Sequence, residues 1–173
     1  MNENPLVQSL KELCLFLDDA KIGNALVGGL AVGIWAEPRA TVDIDFLVSI
    51  NNTDFLLLAK KMNESGMFIF IHDKPMNFKK VSLLRATLKR NPDISVDFLF
   101  ADDDFKRQAV KRSSAVKVSD FIVNIPTPED LILLKLLSGR PQDKLDADKI
   151  QEMQKEHLDR NYIDQWLGRL QIK

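Results

Sequence analysis

The stretch from Gly28 to Val48, GGLAVGIWAEPRATVDIDFLV, constrains this chain most, because it sets two glycines at one end and two acids, Asp43 and Asp45, inside an apolar run at the other. Side chains alternate across an extended strand, so Asp43, Asp45 and Leu47 share one face of TVDIDFLV while Val42, Ile44, Phe46 and Val48 share the other. At about 3.3 Å per residue the two acidic Cα atoms lie about 6.5 Å apart, within joint reach of one divalent cation. Like charges held this close repel, and without compensation one tends to keep its proton. So many apolar residues around two acids fit a central strand better than an edge.

The run ISVDFLF repeats the device with a single acid, Asp97, on the opposite face from Ile94, Val96, Phe98 and Phe100. If this strand pairs beside the first, Asp97 joins Asp43 and Asp45, and the trio can hold two Mg²⁺ ions (or Mn²⁺) roughly 4 Å apart, for work on a triphosphate and an attacking hydroxyl. Asp97 could then also act as a general base. The competing account is structural, with Asp97 paired to an arginine, for which Arg39 and Arg85 are the candidates.

Gly28 and Gly29 follow the short strand ALV and open a helix, so their N–H groups can face a phosphate without obstruction by a Cβ. A Gly-Gly pair after a strand also marks an ordinary tight turn. The phosphate reading gains from the acidic strand that follows.

The remaining pattern is α+β: a mixed sheet flanked by helices. Apolar residues recur at helical spacing from Pro5 to Ala20, LAVGIWA reads as a helix stopped by Glu37-Pro38, and Asn52 or Thr53 can cap a helix carrying Phe55 to Met62. MFIFI, VSLLRATLKR and DISVDFLF read as strands, the last two joined by a turn at Asn91-Pro92-Asp93. From Thr127 the pattern is helical, with Thr127 as cap, Pro128 at the first position and Gly139 as stop, then helices over about Asp143 to Glu156 and Asp159 to Leu170. The expected division is a core over 1–125 and a C-terminal helical segment over 126–173 packed on it.

Charge excludes some partners. The 24 Lys plus Arg against 25 Asp plus Glu give a net charge of -1, so no global field draws in nucleic acid or acidic membrane. The pairs Lys79-Lys80, Lys89-Arg90, Lys106-Arg107 and Lys111-Arg112 read as solvated surface charge, interrupted by Asp102 to Asp104. No apolar run approaches the roughly 18 residues of a membrane span, and the N-terminus lacks signal-peptide character. The lone Cys14, among leucines, fits a buried thiol in a reducing compartment, and the expected location is cytoplasmic. His72 and His157 have no ligand spacing, and Trp35 and Trp166 read as core or interface residues.

Taken together, Gly28-Gly29, the Asp43-x-Asp45 pair within RATVDIDFLV and the later Asp97 resemble the nucleotidyltransferase superfamily that includes DNA polymerase beta. VGGLAVGIWAEPRATVDIDF is most similar to the AbiEii-type (MenT-type) toxin nucleotidyltransferases and their small relatives, and TPEDLILLKLLSGRPQDKLD is similar to their helical segment, although Lys144 stands where Leu is usual. The resemblance spans about Asn24 to Ile150. It implies a nucleotidyltransferase fold, Gly28 and Gly29 on the phosphates, Asp43 and Asp45 as metal ligands, and Asp97 as the third acid that deprotonates or orients the acceptor hydroxyl. It further implies Lys135 near the nucleotide phosphates, and it matches Arg39 and Thr41 to the pattern just before the acid pair.

Lys135 also has a case of its own. It lies among Leu131, Leu134, Leu136 and Leu137, so its ammonium needs an anionic partner or must snorkel to water, and snorkelling is the commoner outcome. Asp143 and Asp146, three residues apart on the next helix, can orient it.

The resulting expectation is a Mg²⁺-dependent enzyme moving an NMP from an NTP to a hydroxyl of an RNA or tRNA end, a protein or a small molecule, with a cognate antitoxin if it is a toxin. The alternative is a non-catalytic nucleotide-binding module, such as an antitoxin or regulator, that retains the fold.

Overall fold

A computed structural model describes residues 4–70, 72, 74–78 and 80–172. Ile71 at the end of the expected MFIFI strand, Lys79 of the first basic pair and the first three residues lie outside the described residues.

Local signals set the element ends. Helix α1 (Pro5–Asp19) starts at Asn4, whose side chain accepts from Leu6 N–H at 2.9 Å, with Pro5 at the first position. Strand β1 (Asn24–Val27), helix α2 (Gly28–Trp35) and strand β2 (Ile44–Val48) follow. Helix α3 (Phe55–Ser65) is preceded by a 3₁₀ turn over Asn52–Asp54 and has Asp54, not Asn52 or Thr53, at its N-cap; no side chain there bonds the exposed amides. It stops at Gly66 with φ 65°, the left-handed conformation that glycine tolerates.

The short strands β3 (Phe68–Phe70) and β4 (Met76–Phe78) lead into β5 (Val81–Leu88) and β6 (Ser95–Phe100). The main sheet runs in the order β1-β2-β6-β5-β3, with β4 also paired to β5. The β2–β6 pair is parallel and the others are antiparallel, so the sheet is mixed as expected.

The patterning does not resolve the stretch between β6 and Thr127. It contains helix α4 (Asp104–Lys111) and a separate ribbon of β7 (Ser114–Val118) and β8 (Phe121–Ile125). Asp103 caps α4, accepting from Lys106 N–H at 2.8 Å. The C-terminal helices are α5 (Pro128–Ser138), α6 (Pro141–Met153) and α7 (Arg160–Leu170), and Thr127 and Gly139 bound α5 as their chemistry requires. Among the described residues no helix is long and apolar enough to cross a membrane.

The two faces of the sheet have different fates. Ile44, Phe46, Val48, Val96, Phe98, Phe100, Leu84 and Leu88 are buried on one face, and edge-on contacts link Phe16 of α1 to Phe68 at 4.9 Å and Phe68 to Phe98 at 6.0 Å. Cys14 is buried nearby, and burial followed by the charge of Asp18 pushes its thiol up to about 12, so it is an inert core group. The opposite face carries Asp45, Leu47, Asp97, Leu99, Leu83 and Arg85 toward a cleft walled by α5. Trp35 ties the last segment down, its indole N–H donating to Pro126 O at 2.9 Å and its carbonyl accepting from Gln154 at 2.8 Å.

Phe98→Ala should lower the unfolding free energy by about 3–5 kcal/mol through lost burial and the cavity left behind. Ile122→Ala, on the exposed side of β8, should change it by less than about 0.5 kcal/mol. Urea denaturation of both variants checks the contrast.

Candidate active site

Strand register brings the acids together. Asp45 sits opposite Asp97 across the parallel β2–β6 pair, Arg85 sits opposite Asp97 across β5–β6, and Val27 sits opposite Asp45 on the other side. A row of charges therefore crosses three neighbouring strands on the cleft face. The strand expected over TVDIDFLVS begins only at Ile44, so Asp43 lies just outside the ladder, exposed, with its N–H directed at Thr41 Oγ1 at 3.4 Å.

Asp97 is 8% exposed, and both its oxygens accept from Arg85, from Nε at 2.7 Å and Nη2 at 2.6 Å. The arginine partnership weighed for this acid is thus present, with Arg85 and not Arg39. Consequently the expected metal-holding trio is not assembled: among the described residues no group of three or more His, Cys, Asp or Glu is arranged to hold a metal ion. Asp43 and Asp45, by contrast, have no ion-pair partner among the described residues. Burial first, then the charge of Asp97, pushes the Asp45 carboxyl up to about 6; Asp43 adds to the shift, and Lys135 and Arg140 oppose it. Two uncompensated oxygen donors of this kind suit a hard divalent cation.

Gly28 makes the close approach of Asp45 feasible. Its φ is 68°, and a Cβ built there would fall on the Asp45 side chain, within 2.7 Å of Cγ and 2.9 Å of Cβ. Any side chain at position 28 would therefore be strained twice, by backbone conformation and by collision. At Gly29 a Cβ would lie 3.0 Å from Arg39 Nη2 and 3.2 Å from Thr41 Cβ, so the second glycine seats the segment before β2 against α2. No side chain caps the start of α2, which leaves its first amides available to an anion.

Lys135 does not snorkel. It is 5% exposed, and its Nζ donates to Asp143 Oδ1 at 2.8 Å and Asp146 Oδ2 at 2.9 Å. Asp146 also receives Arg39 through Nε at 3.1 Å and Nη2 at 3.2 Å, and Gln142 at 2.9 Å. Asp143 receives Ser138 at 2.7 Å and Arg140 Nε at 2.6 Å. Burial alone would raise both acids; the bonds from Arg140, Lys135 and Ser138 to Asp143, and from Arg39, Lys135 and Gln142 to Asp146, outweigh it and hold both below the usual carboxylate range. Arg39, matched by sequence to the pattern before the acid pair, thus spends its guanidinium on α6.

The cleft has a volume of about 670 Å³. Gly28, Asp45, Asp97, Arg85, Lys135 and Arg140 line its polar end, and Leu47, Val81, Leu83, Leu99, Leu134 and Leu137 its apolar wall. Sequence reasoning missed Arg140, whose signal was its place directly after the helix-stopping Gly139. It also misplaced Lys106, which is 4% exposed and donates to Asp102 at 2.6 Å and Lys80 O at 2.9 Å instead of facing solvent. Arg112 bonds Asp130 at 2.9 Å and stacks over Tyr162 at 4.2 Å, so it too is used within the fold. His72 and His157 are exposed, and Trp166 packs on Phe105 at 5.1 Å.

Comparison with known proteins bears on the family and the fold. The family model described as nucleotidyl transferase AbiEii toxin, type IV TA system, matches residues 10–161. No curated protein shows significant sequence similarity to the chain. Among solved structures it is similar to ANT(2")-Ia in complex with adenylyl-2"-tobramycin, with TM-score 0.61 and 12% identity over 97% of this chain and 98% of that one. It is likewise similar to an antigenic nucleotidyltransferase-like protein from Paracoccidioides brasiliensis, with TM-score 0.58 and 15% identity over 95% and 86% of the two chains. Lincomycin-bound LnuA, a lincosamide antibiotic adenylyltransferase, gives TM-score 0.50 and 14% identity over 88% and 99%. At these identities the likeness is one of fold.

Asp45 also predicts a pH effect. Its folded pKa, about 6, lies above the ordinary 3.8, so its contribution to stability is full at low pH and is lost as pH rises through 6. With divalent cations chelated, Asp45→Asn should melt about 2–6 °C above the wild type at pH 8, and the gap should close by pH 4. Thermal melts across that range check it.

Proposed function

The chain belongs to the nucleotidyl transferase AbiEii toxin family, and from that premise we propose that it moves a nucleoside monophosphate from an NTP to an acceptor hydroxyl, as the toxin of a toxin–antitoxin pair. The observation that carries the reading is the pairing of Asp45 with Asp97 across β2–β6, beside the uncapped amides at Gly28 and Gly29.

Asp43 and Asp45 would hold Mg²⁺, for which Mn²⁺ can substitute, and the bound cation supplies charge neutralisation at the phosphates. The chain itself does the rest. The amides of Gly28 and Gly29 at the start of α2, beside Asp45, would bind phosphate oxygens of the NTP. Lys135, fixed by Asp143 and Asp146, lends positive charge to the same end of the cleft. Asp97, once freed of its two bonds from Arg85, takes the proton of the acceptor hydroxyl as the hydroxyl oxygen bonds to the α-phosphorus and the bond to pyrophosphate breaks. Arg39 and Thr41 hold the segment bearing Asp43 in place and have no direct part in transfer. The apolar wall from Val81 to Leu137 suits a base or an aliphatic group, not a phosphate.

Purified protein incubated with Mg²⁺, each α-labelled NTP in turn, and RNA, protein and small-molecule acceptors should label one acceptor class, whereas Asp45→Asn should lose at least about 100-fold in rate. In growing cells, induction of the wild type should arrest growth and induction of Asp45→Asn should not. Nucleotide binding without label on any acceptor would favour the non-catalytic module instead.

A further inference from the structure

We propose that Arg85 is a positioning residue that controls entry of the divalent cation: it occupies both oxygens of Asp97 and must release them before that acid can join Asp43 and Asp45. The inference rests on the nucleotidyltransferase reading of this site.

The geometry is specific. Arg85 and Asp97 are register partners on β5 and β6, and the guanidinium meets the carboxylate through two bonds, at 2.7 and 2.6 Å. A planar fork on a carboxylate takes up both outward lone-pair directions, and its charge repels an approaching cation. The pair is asymmetric, since the Asp97 side chain is 10% exposed and that of Arg85 38% exposed. The acid is therefore fixed in the sheet, and the arginine is the partner able to move. Arg85 also lines the cleft, beside the space where a triphosphate would bring new negative charge. Such a group gives the released guanidinium another partner, so nucleotide and cation would enter together.

Arg85 serves the resting row of charges as well. Asp45 and Asp97 face each other across adjacent strands, and the repulsion would be greater without a cation on Asp97. The same residue thus stabilises the acids and delays their use.

The test is Mn²⁺ binding to chelator-stripped full-length protein without nucleotide, read from the free-ion electron paramagnetic resonance signal. Arg85→Met should tighten binding by about tenfold, a size in keeping with loss of a bidentate pair whose arginine is partly exposed. In an Asp97→Asn background the same substitution should change affinity by less than about twofold, because the contact it breaks is already gone. Tightening of equal size in both backgrounds would mean that only net charge matters, and would overturn the proposal, as would no tightening in either. If Arg85→Met does not fold, Arg85→Lys keeps the charge but cannot hold both oxygens, and it should tighten binding to a smaller degree; unchanged or weaker binding would overturn the proposal. Asp45→Asn should weaken Mn²⁺ binding with either residue at position 85. Failure of that control alone counts against the metal-site reading and is thereby separate from failure of the Arg85 role.

Discussion

The cluster around Lys135 is the interaction on which the cleft depends. A lysine ammonium buried in a leucine-rich helix is tolerable only if its charge is met and its protons find acceptors. Asp143 and Asp146 do this from one face of α6, and they in turn are balanced by Arg39 and Arg140. Three cations on two carboxylates leave the cluster with surplus positive charge beside an acidic row on the sheet. The wall of the cleft is thus drawn toward its floor by charge as well as by packing.

On the floor, a single register determines the electrostatics. Parallel pairing of β2 with β6 sets Asp45 against Asp97, and antiparallel pairing of β6 with β5 sets Arg85 against Asp97. A shift of one residue in either pair would turn the acid or its arginine into the apolar face. Phe46 and Phe98, fully buried on that opposite face, fix the register. Packing on one side of the sheet therefore decides charge placement on the other, and Gly28 removes the one Cβ that would push Asp45 away.

Much of this was legible because it is local. The alternation of acids with apolar residues in VDIDFLV and SVDFLF, the glycines after ALV, and the Thr127, Pro128 and Gly139 frame of α5 are each written in a few adjacent residues. The outcome at Lys135 was half legible, since the need for a partner follows from its leucine neighbours and the i, i+3 acids were visible. That need was met internally because α6 packs against α5, a fact of tertiary geometry. Arg85 was nameable as a partner of Asp97 but not separable from Arg39 without strand register. Lys106 was misread because three consecutive acids beside it suggest solvent, whereas the backbone carbonyl that completes its burial belongs to Lys80, far along the chain. The β7–β8 ribbon, with one largely exposed strand, gave too little hydrophobic pattern to read.

The bond between Arg39 and Asp146 joins residues 107 positions apart. All the acids of the floor have been synthesised by residue 100, yet the wall and its lysine cluster come from residues 128–153. On the ribosome, then, the sheet can form with its charged row facing water long before the cleft exists. The addition of α5 and α6 turns an exposed patch of carboxylates into an enclosed site, so the chemistry of the floor waits on residues 128–153.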